Sequence, residues 1–466
     1  MTFTDLIFLL IFLPVALLLY HIVSESLKKK ILLILSLLFY ACGSERYFGL
    51  LLVSLSIDVS LANILERLHN KRRLASAVLI IGIIYNVGIL AYYKYYDFSI
   101  AAANQLFGTA FETRDLLLPM GLSFYTFKAI SYLADVYKGK SEGSHLVEAA
   151  LYLSFFPQIQ SGPISRYNDF RDSEKKRLFN PKGIILFMTG FSKKILLSDV
   201  LSNIVTEVFD KTHQLSTPLA WLGAVCYSLQ LYYDFSGYSD MAAGIGMMFG
   251  YDCPENFNYP YIAESVAAFW RRWHITLGSW FRDYIYIPMG GSRKGKGRLY
   301  LNLFTVWILT GLWHGTGWNF IAWGLGYFIF ISLEKALGLP NKIPNRFFRN
   351  GYRILVLLLV NFEWVMFRSK GLLSGFAFLK TMVVPVSYKT ADARAGFLLR
   401  DYFVFIFIAF IFTMPILPAI KKFCIRRKGT EAAYHIFSGI GILLLFICAA
   451  AFVVSGQNNP FLYANF

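Results

Sequence analysis

Leu74-Ala-Ser-Ala-Val-Leu-Ile-Ile-Gly-Ile-Ile-Tyr-Asn-Val-Gly-Ile-Leu90 carries no charged side chain and directly follows Lys71-Arg72-Arg73. A helix needs about 20 mostly apolar residues to cross a bilayer, and basic residues at one end hold that end in the cytoplasm. The stretch therefore reads as a membrane span. Ile31–Tyr40 and Tyr402–Ile420 repeat the pattern, and such runs are too numerous for one buried core. Of the 466 residues, 56% are hydrophobic, 18% aromatic and only 16% charged, against about 25% charged in an average soluble chain. An ordinary soluble globule is excluded. The expectation is an all-α polytopic membrane protein, a single integral-membrane domain over 1–466, with about eleven crossings and a few shorter apolar segments that enter the bilayer without crossing it.

The chain holds 45 Lys+Arg against 28 Asp+Glu, a formal balance of +17. In a soluble protein such an excess would suggest nucleic acid, through counterion release from phosphates. Here the cations cluster between apolar spans, so the partner is the lipid bilayer and no nucleic acid is expected. Lys28–Lys30, Lys71–Arg73, Lys138–Lys140, Arg166–Lys182, Arg293–Arg298, Lys342–Arg353 and Lys421–Lys428 all become cytoplasmic if the N-terminus lies outside. Cys42–Arg46, Asp97–Asp115, Asp210–Ser216, Lys370–Arg400 and the tail through Phe466 then fall outside. Leu151–Gln160 lies between two loops of the same side and reads as re-entrant. Leu6–Tyr20 follows an acidic start and has no cleavage site after it, so no cleaved signal peptide is expected. The five cysteines show no CxxC spacing, which points to neither a metal site nor a disulfide framework.

Ionisable residues inside apolar spans cost about 2.5–3.5 kcal/mol each on insertion scales and usually face packed protein or a watery cavity. Leu118–Asp135 places Lys128 and Asp135 seven residues apart on one helical face, as a structural pair or the lining of a substrate path. Phe156-Pro-Gln-Ile-Gln-Ser-Gly-Pro-Ile-Ser-Arg166 breaks any helix with two prolines and a glycine, and reads either as broken backbone at membrane depth, which survives only inside protein or beside a cavity, or as a plain loop at the membrane edge. Leu231–Gly246 carries Asp234 and Asp240 among Gly237, Gly244 and Gly246, a pattern of close helix packing with internally bonded carboxylates or of charged groups handling substrate.

The most informative stretch is Phe269-Trp-Arg-Arg-Trp-His-Ile-Thr-Leu-Gly-Ser-Trp-Phe-Arg-Asp-Tyr284. At 100° per residue Trp270, Trp273, Leu277, Trp280, Phe281 and Tyr284 share one face, and Arg271, Arg272 and Arg282 lie on the other. A continuous amphipathic helix is expected, with His274 at the edge of the aromatic face. Further on, Gly311-Leu-Trp-His-Gly-Thr-Gly317 puts His314 between glycines at membrane depth, where a polar ring is costly. An imidazole with a reference pKa of about 6.5, kept from water, is neutral and can accept a proton from a hydroxyl nucleophile. No GxSxG elbow, HExxH or Walker loop competes with it. Gly290–Arg298, with Arg293, Lys294, Lys296 and Arg298, can cradle phosphates or be a plain solvated loop.

At these residues the sequence resembles the membrane-bound O-acyltransferase family, in the branch that O-acetylates alginate, peptidoglycan and other exported polysaccharides. The matching blocks are Leu118–Tyr137, Phe155–Phe170, Tyr233–Tyr261, Phe269–Lys294 and Thr310–Trp323, in the expected order, with a core over about 116–337. Asn459–Phe466 is similar to the branch's Pro-Phe-Ile-Tyr-aromatic ending but departs from it at Ala464 and Asn465, and Gly278 replaces a usual serine. The resemblance implies a ring of helices around a thin centre, where two opposed funnels meet at His314, with His274 as the second family histidine. It implies a multi-pass enzyme of the bacterial cytoplasmic membrane with no tightly bound cofactor. Its acetyl-CoA donor would enter from the cytoplasm past Trp273 and Trp280, with its diphosphate on Arg293, Lys294, Lys296 and Arg298. The acceptor would be an exported polysaccharide or an extracytoplasmic acyltransferase partner, with Lys128, Asp135, Arg166, Asp234 and Asp240 along the path or in structural roles. Gly311, Gly315 and Gly317 would leave room for both substrates. Two alternatives stand beside this reading: D-alanyl transfer to teichoic acid from an acyl carrier protein, and a transporter or channel with a midplane histidine.

Overall fold

The computed structural model describes residues 1–173, 180–212, 214–425, 430–456 and 458–462. No strand occurs among them. Among the described residues six helices are long and apolar enough to cross a membrane: Glu45–Arg67, Arg72–Phe107, Trp318–Leu337, Arg346–Arg368, Lys389–Phe412 and Thr430–Val454. Phe8–Ile22 and Leu372–Val383 are shorter apolar helices. The all-helical architecture with several helices of spanning length is thus as expected, whereas about eleven crossings exceeds what helix length and composition establish. Residues 174–179 within Arg166–Lys182, 426–428 at the end of Lys421–Lys428, and 457 and 463–466 of the tail lie outside the described residues.

The chain divides into two compact units, one made of 1–187, 238–254 and 460–466, the other of 188–237 and 255–459. In the first, the Leu122–Tyr137 helix is buried over almost its whole length. Beside it the Leu146–Ser154 and Phe156–Ile159 helices and the turn after them form an unbroken buried run from 151 to 165. Broken backbone needs internal partners, and it has them. The Tyr152 hydroxyl donates to the Ser165 carbonyl at 2.9 Å, and Gln158 Nε2 donates to Ser165 Oγ at 2.8 Å. Gly121, at φ +69°, lies so close that a Cβ there would sit 2.0 Å from the Ile159 carbonyl oxygen.

In the second unit the Lys296–His314 and Trp318–Leu337 helices form a tight antiparallel pair. Gly324 and Gly311 make the approach possible: a Cβ on Gly324 would meet the Trp307 carbonyl oxygen at 2.5 Å, and one on Gly311 would meet that of Phe320 at 2.5 Å. Small residues at a helix seam let backbones approach where lipid supplies no hydrophobic drive.

The expected continuous amphipathic helix over 269–284 is corrected. A helix over Val266–Trp270 ends, His274 takes a left-handed conformation at φ +45°, a second helix covers Ile275–Phe281, and a π-helical turn follows over Arg282–Tyr286. The reason is tertiary. Ile275 N donates to the Asn256 carbonyl at 3.0 Å, and Asn258 N donates to that of Arg272 at 2.9 Å, so the preceding segment takes backbone groups that a continuous helix would use itself. The division of burial survives the break, with Trp273, Leu277, Trp280 and Phe281 buried and Arg271 and Arg282 exposed.

Candidate active site

Local hydrogen bonds set the orientation of His274. Its ring is 1% exposed, and Nδ1 lies 3.1 Å from Asn256 Oδ1. The same oxygen receives the Thr276 amide at 3.3 Å and the Thr276 hydroxyl at 2.8 Å. A backbone amide only donates, so the Asn256 atom is the oxygen and Nδ1 must carry the proton. The tautomer is thereby fixed with Nε2 as the basic nitrogen. The Phe235 ring stands edge-on to the imidazole at 4.6 Å.

His314 closes its helix and is 2% exposed. Its ring is packed edge-to-face against Trp313 at 4.7 Å, Trp323 at 5.0 Å and Phe367 at 5.2 Å, contacts worth roughly 0.5–1.5 kcal/mol each beyond burial. The Trp313 ring also lies 6.3 Å from that of His274. Two histidines forty residues apart in sequence thus flank one indole. The glycines around His314 do not leave the expected room. A Cβ on Gly315 would collide with the Phe320 ring at 2.1 Å, and one on Gly317 with Asn319 Oδ1 at 2.2 Å. Neighbouring side chains use that space.

The remaining expected residues fall into distinct settings. Trp273 is buried in an aromatic cluster with Phe257 at 5.0 Å, Phe269 at 5.6 Å and Trp364 at 4.9 Å. Trp280 packs on Phe281 and Tyr284. Arg293, Lys294, Lys296 and Arg298 are exposed, the first two on a turn and the last two in the first turn of the Lys296–His314 helix; Arg298 Nε donates to the Met289 carbonyl at 2.7 Å and Asn302 Nδ2 to that of Gly291 at 2.9 Å, which pins the turn. Asp234 is 1% exposed and accepts from Lys194 at 2.7 Å, and the same ammonium donates to Asp199 at 2.7 Å. Asp199 and Ser202 in turn receive the amide and side chain of Asn459.

Lys128, Asp135, Arg166 and Asp240 belong to the first unit. Lys128 donates to Gln158 Oε1 at 3.3 Å and lies 4.5 Å from the Tyr152 ring. Its charge is met by an amide and a π-face in place of Asp135. Asp135 is buried, and Arg166 and Asp240 are half-buried. Sequence reading missed Asn256, Lys194, Asp199, Trp323 and Phe367. The only available signal was indirect: an asparagine or lysine in an apolar neighbourhood needs a partner. No group of three metal-ligating side chains occurs among the described residues.

The model of the MBOAT, membrane-bound O-acyltransferase family, matches residues 140–379, which contain both histidines. The chain belongs to that family. It is 39% identical over 381 residues to the probable alginate O-acetylase AlgI of Pseudomonas aeruginosa, covering 80% of this chain and 73% of that protein. It is 34% identical to the peptidoglycan O-acetyltransferase of Helicobacter pylori, across 100% of this chain and 97% of the relative. The teichoic acid D-alanyltransferase of Bacillus subtilis is 29% identical over 54% of this chain and 68% of its own length. As a member of the membrane-bound O-acyltransferase family the protein is a multi-pass membrane acyltransferase, which removes the transporter reading.

Proposed function

We propose that this membrane-bound O-acyltransferase moves an acetyl group from a cytoplasmic thioester, acetyl-CoA, to a hydroxyl on the far side of a bacterial cytoplasmic membrane. The hydroxyl belongs to an exported polysaccharide or to an extracytoplasmic acyltransferase partner. One observation carries the chemistry: two buried histidines flank Trp313 in the stretch matched by the family model. His314 takes the proton of the attacking hydroxyl as its oxygen bonds to the thioester carbon. The tetrahedral intermediate collapses, the C–S bond breaks, and the thiolate recovers a proton from the imidazolium. His274, locked by Asn256 with Nε2 basic, orients the donor or stabilises charge on the thioester oxygen. Arg293, Lys294, Lys296 and Arg298 hold the donor's phosphates, with Trp280 and the Trp273 cluster beside the thioester arm. The partnered settings of Asp234 and Lys128 support structural roles for both.

Acetyl transfer is favoured over D-alanyl transfer because the matches to proteins named for O-acetylation cover 80% and 100% of the chain, and the D-alanyltransferase match covers 54% of it. Purified protein offered acetyl-CoA or a D-alanyl carrier protein, with release of free thiol measured, tests the assignment. Thiol release from acetyl-CoA alone is the expected result. Release only from the carrier would transfer the protein to the other branch, and release from neither would overturn the thioester reading.

A further inference from the structure

Glu334, 4% exposed near the end of the Trp318–Leu337 helix, is tied to a segment distant in sequence. Its Oε1 accepts the Val266 amide at 2.6 Å and the Tyr352 hydroxyl at 2.7 Å, and its Oε2 accepts the Ala267 amide at 2.9 Å. Those amides open the Val266–Trp270 helix. Amides in a first helical turn have no intrahelical acceptor, and a carboxylate there both satisfies them and matches the helix dipole. Ser265 Oγ takes the next amide, that of Ala268, at 2.9 Å. The far end of this short helix is gripped through Trp270, whose ring lies edge-on to Trp307 at 4.9 Å, Trp323 at 5.7 Å and Tyr327 at 4.9 Å.

His274 follows Trp270 by four residues, and the helix carrying Glu334 begins four residues after His314. One rigid element therefore starts at the turn of one histidine and, about 24 Å along at 1.5 Å per residue, holds the segment that carries the other. The Trp270 contacts with Trp323 and Tyr327 of the same helix make it a two-point attachment. We infer that Glu334 is a positioning residue for acyl transfer: through the Val266 and Ala267 amides it sets where His274 stands relative to His314. The inference rests on the reading that the two histidines serve the transfer.

Glu334→Gln in the full-length protein tests it. The amide keeps an oxygen for Val266 and Tyr352 but turns an N–H₂ toward the Ala267 N–H, two donors facing each other. Two quantities are read: acetyl transfer, and amide hydrogen exchange over 264–276 compared with 296–314. The expected result is faster exchange confined to 264–276 together with a fall in kcat of about 10-fold to 10²-fold, the scale of a small misplacement of reacting groups. Glu264→Gln, which removes an exposed ion-pair partner of Arg353 in the same segment, should leave both readouts near wild type. If Glu334→Gln fails to fold, Tyr352→Phe keeps the carboxylate, removes one of its three donors, and should show a smaller change of the same pattern. Unchanged exchange over 264–276 overturns the inference, as does faster exchange there with unchanged kcat. A wild-type protein inactive on acetyl-CoA would remove the acetyl reading alone. Exchange over 264–276 would still decide whether Glu334 holds the His274 segment.

Discussion

Replacing His314 with asparagine separates proton transfer from hydrogen bonding, because the amide keeps hydrogen-bonding capacity and cannot act as a base near neutral pH. General-base loss costs about 10²–10⁴-fold, so His314→Asn should lower kcat at least about 10²-fold with donor binding retained. Turnover near wild type, normalised to folded protein, would remove His314 as the base and leave it a hydrogen-bonding role between neighbouring helices. His274→Ala should cost less than His314→Ala, and Asn256→Ala should cost no more than His274→Ala, since Asn256 acts only through the ring it orients. Steady-state rates of the three variants, ranked in the opposite order, would mean that the two histidines exchange roles. Both imidazoles were legible in the sequence because a polar ring among Trp, Gly and Leu stands out. Asn256 was not: its partner lies eighteen residues on, and an asparagine beside Pro254 reads as an ordinary turn. Lys194 was hidden for the same reason, with its Asp234 partner forty residues away.

The Lys296–His314 and Trp318–Leu337 helices are held together by absent side chains. Gly324→Ala would ordinarily favour a helix by about 1 kcal/mol. Here the added methyl meets a backbone carbonyl that cannot rotate away, and overpacking of this kind costs about 1–3 kcal/mol. Gly324→Ala should therefore lower the thermal midpoint, and Gly351→Ala, where nothing lies within 4 Å, should not; equal midpoints would show that the seam relaxes. At the other end of the Lys296 helix, neutralising Arg293, Lys294, Lys296 and Arg298 together should raise the donor KM several-fold and leave kcat comparatively intact, the pattern of lost uniform binding. An unchanged KM removes these cations from the donor site. Helical periodicity separated buried Trp273, Leu277, Trp280 and Phe281 from exposed Arg271 and Arg282, whereas Trp270, Arg272 and Tyr284 are half-buried. It missed the break at His274, because periodicity sees only neighbours along the chain and the hydrogen bonds that open the helix come from Asn256 and Asn258.

For the whole molecule the distribution of Lys and Arg makes a topological statement open to chemical labelling. In a variant with its five cysteines replaced, an impermeant thiol reagent applied to intact cells should label Glu112→Cys and spare Asp172→Cys and Gly295→Cys until the cells are permeabilised. Labelling of either of the latter two beforehand would invert the donor and acceptor sides. Composition revealed the membrane class because apolar excess is additive over the chain. It could not reveal which buried carboxylates are partnered, since that depends on contacts such as Glu334 with Val266, 68 residues apart. One geometric fact bears on the choice of donor. The cationic turn and His314 terminate the same nineteen-residue helix, so they stand about 27 Å apart at 1.5 Å per residue. On the proposed donor site that helix would work as a ruler. A donor anchored by its phosphates at one end and reacting at the other is selected for the reach of its arm before the identity of its acyl group. On that proposal compact activated acyl compounds would satisfy one end only, and a donor with a long arm between its phosphates and its acyl group would be needed to reach both.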